Sequence, residues 1–204
     1  MTTVDELERR MRPGAWSVDG FLGDRERLED VLAADQRTLE SLGLTRAEIV
    51  EPLQVLCQAA VIVAIELDEA LALYVRDDPE LPEGLRRGRA AIEQRFGKLE
   101  PPMTSVVGWW QNAARVGDRY EVRTGVSRGS QACPWSPAEF DPVCARSSMD
   151  WWICDTTRDL EMSGPGLIGH LITEHGFFEG FESPYRVDPR ALAELLQLGP
   201  FSAH

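Results

Sequence analysis

The sequence predicts an α+β fold, with an N-terminal mostly helical part packed on a small C-terminal antiparallel sheet that carries two helices. Three observations point there. Residues 1–100 show apolar side chains at three- and four-residue spacing between helix caps. Pro101-Pro102 interrupts that pattern. Beyond it lie five of the six Trp and several short β-prone runs. The chain therefore divides into a helical region over 1–100 and a Trp-rich α+β region over 101–204, expected to form one merged domain.

Each element has its own local signal. Thr3 with Glu6 is a capping box before Val4, Leu7 and Met11. Asp24 is the expected cap of a second helix with the stripe Leu28, Val31, Leu32, Leu39 and Leu42, stopped by Gly43. Thr45 with Glu48 is another capping box. Pro52 marks a kink or a fresh start. From there the run to residue 76 is apolar on every side and reads as the central core helix. A loop over Asp77 to Pro82 precedes a last N-terminal helix with Leu85, Ile92 and Phe96, ended by Gly97.

In the second half, Ser105 to Trp110, Tyr120 to Val126 and Asp150 to Asp155 read as strands, punctuated by Asp118, Gly125, Gly129 and Pro134. Ser163 is the expected cap of a helix with Leu167, Ile168, Leu171 and Ile172 inward and Gly176 as its stop. Asp188-Pro189 opens the final helix, with Leu192, Leu195 and Leu196 inward, and Gly199-Pro200 closes it.

Charge narrows the function classes. The 204 residues carry a formal charge of −13. It is spread evenly, with 13 basic against 21 acidic side chains in residues 1–100 and 8 against 13 in the rest. No basic stripe is available for a phosphate backbone, so nucleic acid is not an expected partner, whereas a basic protein is. The only lysine is Lys98, which leaves no Walker loop, since Gly97-Lys98 runs into Leu99. The first ten residues are charged, and the longest apolar run, Ala59 to Ile65, is seven residues. These features predict a cytoplasmic protein, with no membrane partner and reduced thiols.

Two motifs match known patterns without their context. Gly164 to Gly169 fits G-x-G-x-x-G, but the preceding segment is too polar for a central parallel strand. It reads as a turn and helix start on which an anion or nucleotide phosphate would sit. Gly125-Val126-Ser127-Arg128-Gly129 fits G-x-S-x-G, but Gln131-Ala132-Cys133-Pro134-Trp135 does not launch the required helix.

The candidate chemistry is a sulfur–imidazole set: Cys133, Cys144, Cys154, His170 and His175. Thiolate and imidazole are donors that zinc prefers, and no other cofactor is expected. Gaps of ten and nine residues between the cysteines are not a zinc-finger pattern, and on a regular α-helix His170 and His175 point about 140° apart. His170 and Glu174 share a helix face, which makes them the candidate catalytic pair beside a metal. The Trp109-Trp110 and Trp151-Trp152 pairs place one ring on each side of a strand. Trp110, Trp135, Trp152 and Tyr185 with Arg186 form the candidate binding surface, with Phe177 and Phe178 nearby in sequence.

Two functions follow as expectations. One is an acidic, cytosolic interaction or regulatory protein that engages a protein partner through its aromatic C-terminal surface. The other is a small enzyme or ligand-binding protein with a Cys/His site, zinc being its metal, in residues 133–188.

Overall fold

The computed structural model describes residues 3–67, 80–102, 110–137 and 145–202. The fold is α+β, with helices mostly in the N-terminal half and an antiparallel sheet in the C-terminal half. Helix α1 (Val4–Met11) starts at Thr3, whose side chain accepts the Glu6 N–H. Helix α2 (Leu28–Leu42) ends at Gly43 in the left-handed region. Its start corrects the expected Asp24 cap. Arg27 occupies the N-cap without a side-chain bond, and the buried Glu8 carboxylate of α1 accepts the Leu28 N–H at 2.9 Å. A negative group from another helix thus satisfies the donor that a local Asp was expected to take.

Helix α3 (Arg46–Leu67) begins with the reciprocal Thr45–Glu48 box and runs through Pro52 without a break. Leu53, Leu56, Ala59, Ala60, Ile62 and Val63 are buried, while Glu51, Gln54, Gln58 and Glu66 are exposed. The helix therefore keeps one polar face instead of being enclosed all round. Over Arg46–Glu66 it is long and apolar enough to cross a membrane, and 56% of its most apolar stretch is buried inside the protein. Residues 68–79, which hold the rest of the expected core helix and most of the expected loop, lie outside the described residues. Helix α4 (Glu80–Phe96) buries Ile92. A Cβ at Gly88 would stand 3.1 Å from Ile62 Cδ1, so this glycine gives α4 a close approach to α3.

The sheet has the order β1-β2-β3-β4-β5. Strand β1 (Leu99–Glu100) pairs with β2 (Asn112–Val116), and β2 pairs with β3 (Tyr120–Ala132) in the register Val116 to Tyr120. The expected strand over 105–110 lies outside the described residues except for Trp110, and Asn112–Val116 is a strand that the alanine-rich sequence did not announce. Strand β3 runs straight through Gly125 and Gly129. The G-x-S-x-G segment is therefore extended strand, neither an elbow nor a turn. Strands β4 (Arg146–Asp155) and β5 (Leu160–Pro165) follow. Along β4, Trp151 is buried at 1% exposure and Trp152 is half-buried on the other side.

Ser163 lies in β5 and caps nothing. The next helix, α5 (Ile168–His170), has Leu167 at its N-cap. Gly166 donates its N–H to the Met149 carbonyl at 2.6 Å, and a Cβ there would meet Met149 O at 2.7 Å. Gly166 of the G-x-G-x-x-G segment thus serves close packing against β4 in an antiparallel sheet. A dinucleotide fingerprint requires a parallel βαβ unit. Helix α6 (Pro189–Leu195) is capped by Asp188, which accepts from Arg190 and Ala191, and a 3₁₀ turn spans Gly199–Phe201.

The chain forms two compact units, each assembled from separate segments. One comprises Met1–Val50, Ser127–Asp150 and Ser163–His204; the other comprises Glu51–Val126 and Trp151–Met162. The first unit buries Met11, Phe21, Val31, Leu39, Ile168, Leu171, Phe177, Phe178 and Leu192. Its aromatic tail is tied to α2: Arg186 donates to Asp35 at 2.5 Å and to the Glu179 carbonyl. Glu26 accepts the Phe181 N–H at 2.6 Å. The second unit buries Leu56, Ile62, Ile92, Val116, Val122, Trp151 and Ile153.

Candidate metal centre

Cys133 follows the end of β3. Its N–H donates to the Ala145 carbonyl at 3.0 Å, and its own carbonyl accepts from Ser136 at 2.9 Å. Pro134 sits at the second position of this turn, where its fixed φ is favoured. Arg10 Nη1 donates to the Ser136 carbonyl at 2.7 Å and pins the turn to α1. The Cys133 side chain is fully buried.

His170 and His175 come from the opposite wall. The expected divergence of two residues five apart does not occur, because Leu171–His175 is a π-helical turn. Hydrogen bonding from i to i+5 widens the turn so that residues five apart come onto one side. The two imidazole rings meet edge to face with centroids 5.4 Å apart. Gly176 ends the turn at φ +67°, and a Cβ there would strike the Arg46 guanidinium. Glycine is therefore favoured at this stop by its backbone conformation, while the Arg46 side chain can shift.

One donor atom from each of Cys133, His170 and His175 lies within 4.8 Å of the other two. Cys133 Sγ is 3.3 Å from His175 Nε2. A tetrahedral zinc with Zn–N near 2.0–2.1 Å and Zn–S near 2.3 Å sets its donors about 3.4–3.6 Å apart. His170 Nε2 is buried and has no hydrogen-bond partner among the described residues. A buried imidazole nitrogen is costly to leave unpaired, and a metal ion would satisfy it. Trp135 stacks flat on His175, with centroids 4.0 Å apart and planes 4° from parallel, and meets Phe177 edge-on. Burial, then the neighbouring His170 and the Arg46 charge, push the His175 pKa down to about 4. The ring is therefore neutral at physiological pH, the form that binds metals.

The remaining candidates are placed elsewhere. Cys154 belongs to the second unit, half-buried on β4. Burial and the carboxylates of Glu161, Glu121, Asp159 and Asp155 raise its pKa, which disfavours the thiolate a ligand needs. Cys144 lies outside the described residues. Glu174 is exposed and is not among the three clustered donors. Arg186 is occupied by Asp35 and the Glu179 carbonyl. Tyr185 donates to Asp19 at 3.0 Å. Trp152 lies 4.4 Å from the Arg123 guanidinium and donates to Glu161 at 3.2 Å. Trp110 is half-buried. Of the aromatic residues named from sequence, Trp135 is the one that touches the cluster. Arg46, missed from sequence, is brought to Gly176 by the start of α3 and carries no local signal that would have revealed it.

Comparison with protein-family models, with curated proteins and with solved structures returns no match.

Proposed function

We propose that this chain is a zinc-binding protein in which Cys133, His170 and His175 hold the ion, and that the ion is a structural staple. The observation that carries this reading is the convergence of the three donor atoms to within 4.8 Å around a buried, unpartnered His170 Nε2. One thiolate with two imidazoles suits zinc and disfavours magnesium or calcium, which take oxygen ligands. A tetrahedral ion takes a fourth donor, either water or another residue of the chain. The staple reading rests on burial. The Cys133 thiol is 0% exposed, which suits a ligand and not a nucleophile that must meet substrate. The expected general base, Glu174, is exposed and outside the cluster.

Such an ion ties the end of β3 to a turn 42 residues further along the chain. Because unfolded chains lack a preformed site, metal affinity becomes folding free energy. Free zinc at ~1,000 times its dissociation constant adds about 4 kcal/mol to stability. The test is elemental analysis of protein purified without a histidine tag, paired with thermal melts. One zinc per chain is expected, lost in Cys133→Ser and His175→Ala. Chelation should lower Tm and zinc should restore it. A metal-free protein whose Tm responds to neither zinc nor other divalent transition metals contradicts the reading.

A further inference from the structure

The first unit contains a cavity of about 360 Å³ that shares no residue with the metal cluster. Its walls come from five stretches of chain: the turn after α1, the end of β3, β4, the end of β5, and the aromatic tail. The volume falls in the range of small-molecule sites. Trp16 and Tyr185 line it, together with Asp19, Asp150, Gln131 and Ser147. None of the lining residues is basic.

The two aspartates differ in what holds them. Asp19 accepts the Tyr185 hydroxyl at 3.0 Å, which fixes one of its oxygens and leaves the other available. Asp150 is half-buried on β4, and its side chain makes no hydrogen bond or ion pair with any described residue. Burial alone raises its pKa, as expected of a carboxylate with no cationic neighbour. Two bases reach lining residues: Arg146 Nε donates to Ser130 Oγ at 3.2 Å, and the Arg10 guanidinium lies 5.0 Å from the Trp16 ring. The Arg10 charge is already paired with Glu6 at 2.6 Å.

We infer that this cavity binds an organic ammonium cation, recognised by the Trp16 and Tyr185 rings and by the carboxylates of Asp19 and Asp150. Aromatic faces attract cations through their quadrupole, and quaternary or methylated amines are the ligands that use ring and carboxylate together. An anion is repelled by both aspartates. A neutral polyol leaves the Asp150 charge uncompensated. A hard metal ion gains nothing from the rings and prefers a shell of oxygens. The ammonium group has two sources, a free amine or a lysine side chain presented by a basic protein, and the second agrees with the net charge of −13.

The test is NMR titration of the intact protein with choline, with N-acetyl-lysine N-methylamide, with a lysine-rich peptide, and with 3,3-dimethyl-1-butanol, the uncharged counterpart of choline. Saturable binding of at least one charged probe is expected, with the alcohol at least about tenfold weaker. Choline binding more tightly than the peptide assigns a free amine; the reverse assigns a protein lysine. Asp150→Asn and Tyr185→Leu, each confirmed as folded by circular dichroism, should weaken binding about tenfold. Asp19→Asn replaces Asp150→Asn if the latter does not fold. No saturable binding at ~10 mM, equal binding of the alcohol, or unchanged affinity in the folded variants overturns the inference. None of these outcomes depends on whether Cys133, His170 and His175 hold a metal.

Discussion

Two buried polar clusters, one from each unit of the molecule, are built differently. In the second unit, Asp155 is fully buried and every demand on it is met. Arg119 Nε donates at 2.8 Å, Arg158 Nε at 2.6 Å, and Thr157 through its hydroxyl at 2.7 Å and its N–H at 3.1 Å. Burial alone would raise the Asp155 pKa, but the bonds from Arg119, Thr157 and Arg158 outweigh it and hold the carboxyl well below the usual carboxylate range. In the first unit, Cys133, His170 and His175 are gathered just as closely, yet His170 Nε2 has no described partner. A saturated cluster is complete within the chain and stabilises the fold. An unsaturated one leaves a polar atom for a further component to meet, and its donor types suit a transition-metal ion.

The comparison breaks first at Asp155. Asp155→Asn leaves two arginines facing a neutral amide and should cost about 3–5 kcal/mol in urea unfolding, with or without metal. A loss below about 1 kcal/mol would show that the cluster is solvated. In the wild type this contribution is present above the ordinary aspartate pKa and disappears as pH falls through it toward the depressed folded value.

Glu179 sharpens the contrast within the first unit. It is fully buried at φ +66°, Ser183 donates to one carboxylate oxygen at 2.6 Å, and the other has no partner among the described residues. Burial raises its pKa to about 7, against the opposing Ser183 bond and Arg186 charge. Between its ordinary value of 4.5 and about 7, the folded chain keeps a proton that the unfolded chain has lost. Its stabilisation is therefore complete below the lower value, declines as pH rises to the upper one, and is flat beyond. The decline is at most about 3 kcal/mol. Urea midpoints at pH 5 and pH 8 should converge in Glu179→Gln; equal slopes in the variant and wild type would contradict the assignment.

Smaller effects follow at the π turn. Gly176→Ala places a side chain at a left-handed φ and should cost about 1–2 kcal/mol and weaken zinc uptake. A variant with unchanged stability and metal content would show that the turn is not needed. The smallest change is expected for His170→Leu in metal-free protein. Replacing a buried unpaired polar group by an apolar one of similar size removes its desolvation cost and should raise stability by about 1 kcal/mol. The same variant should lose the zinc-dependent rise in Tm.

Much of the helical framework was legible because its signals are local. Thr3, Thr45 with Glu48, Asp188, Gly43 and Gly176 each perform the expected capping role within a few residues of where they stand. The failures share a non-local cause. Glu8 caps α2 from 20 residues away, a relation no window along the chain contains. Gly125 and Gly129 favour turns by themselves, yet pairing with neighbouring strands carries β3 through both. Ser163 has the chemistry of a cap but is held in β5. At the candidate site the donor set was readable from residue type, whereas membership was not. Cys154 and Cys133 look alike in sequence, and only the fold assigns Cys133 to the turn facing the histidines. The five-residue spacing of His170 and His175 contradicted a regular α-helix, and the π turn removes that contradiction.

The central claim is that Cys133, His170 and His175 coordinate one ion together. Cobalt(II) titration of the metal-free protein tests it most directly, because a bound thiolate produces a near-ultraviolet charge-transfer band and tetrahedral geometry intensifies the visible bands. The account predicts both signals at one equivalent, the first abolished in Cys133→Ser and the second weakened in His170→Leu. Absence of a charge-transfer band in folded wild-type protein, or its survival in Cys133→Ser, would contradict it.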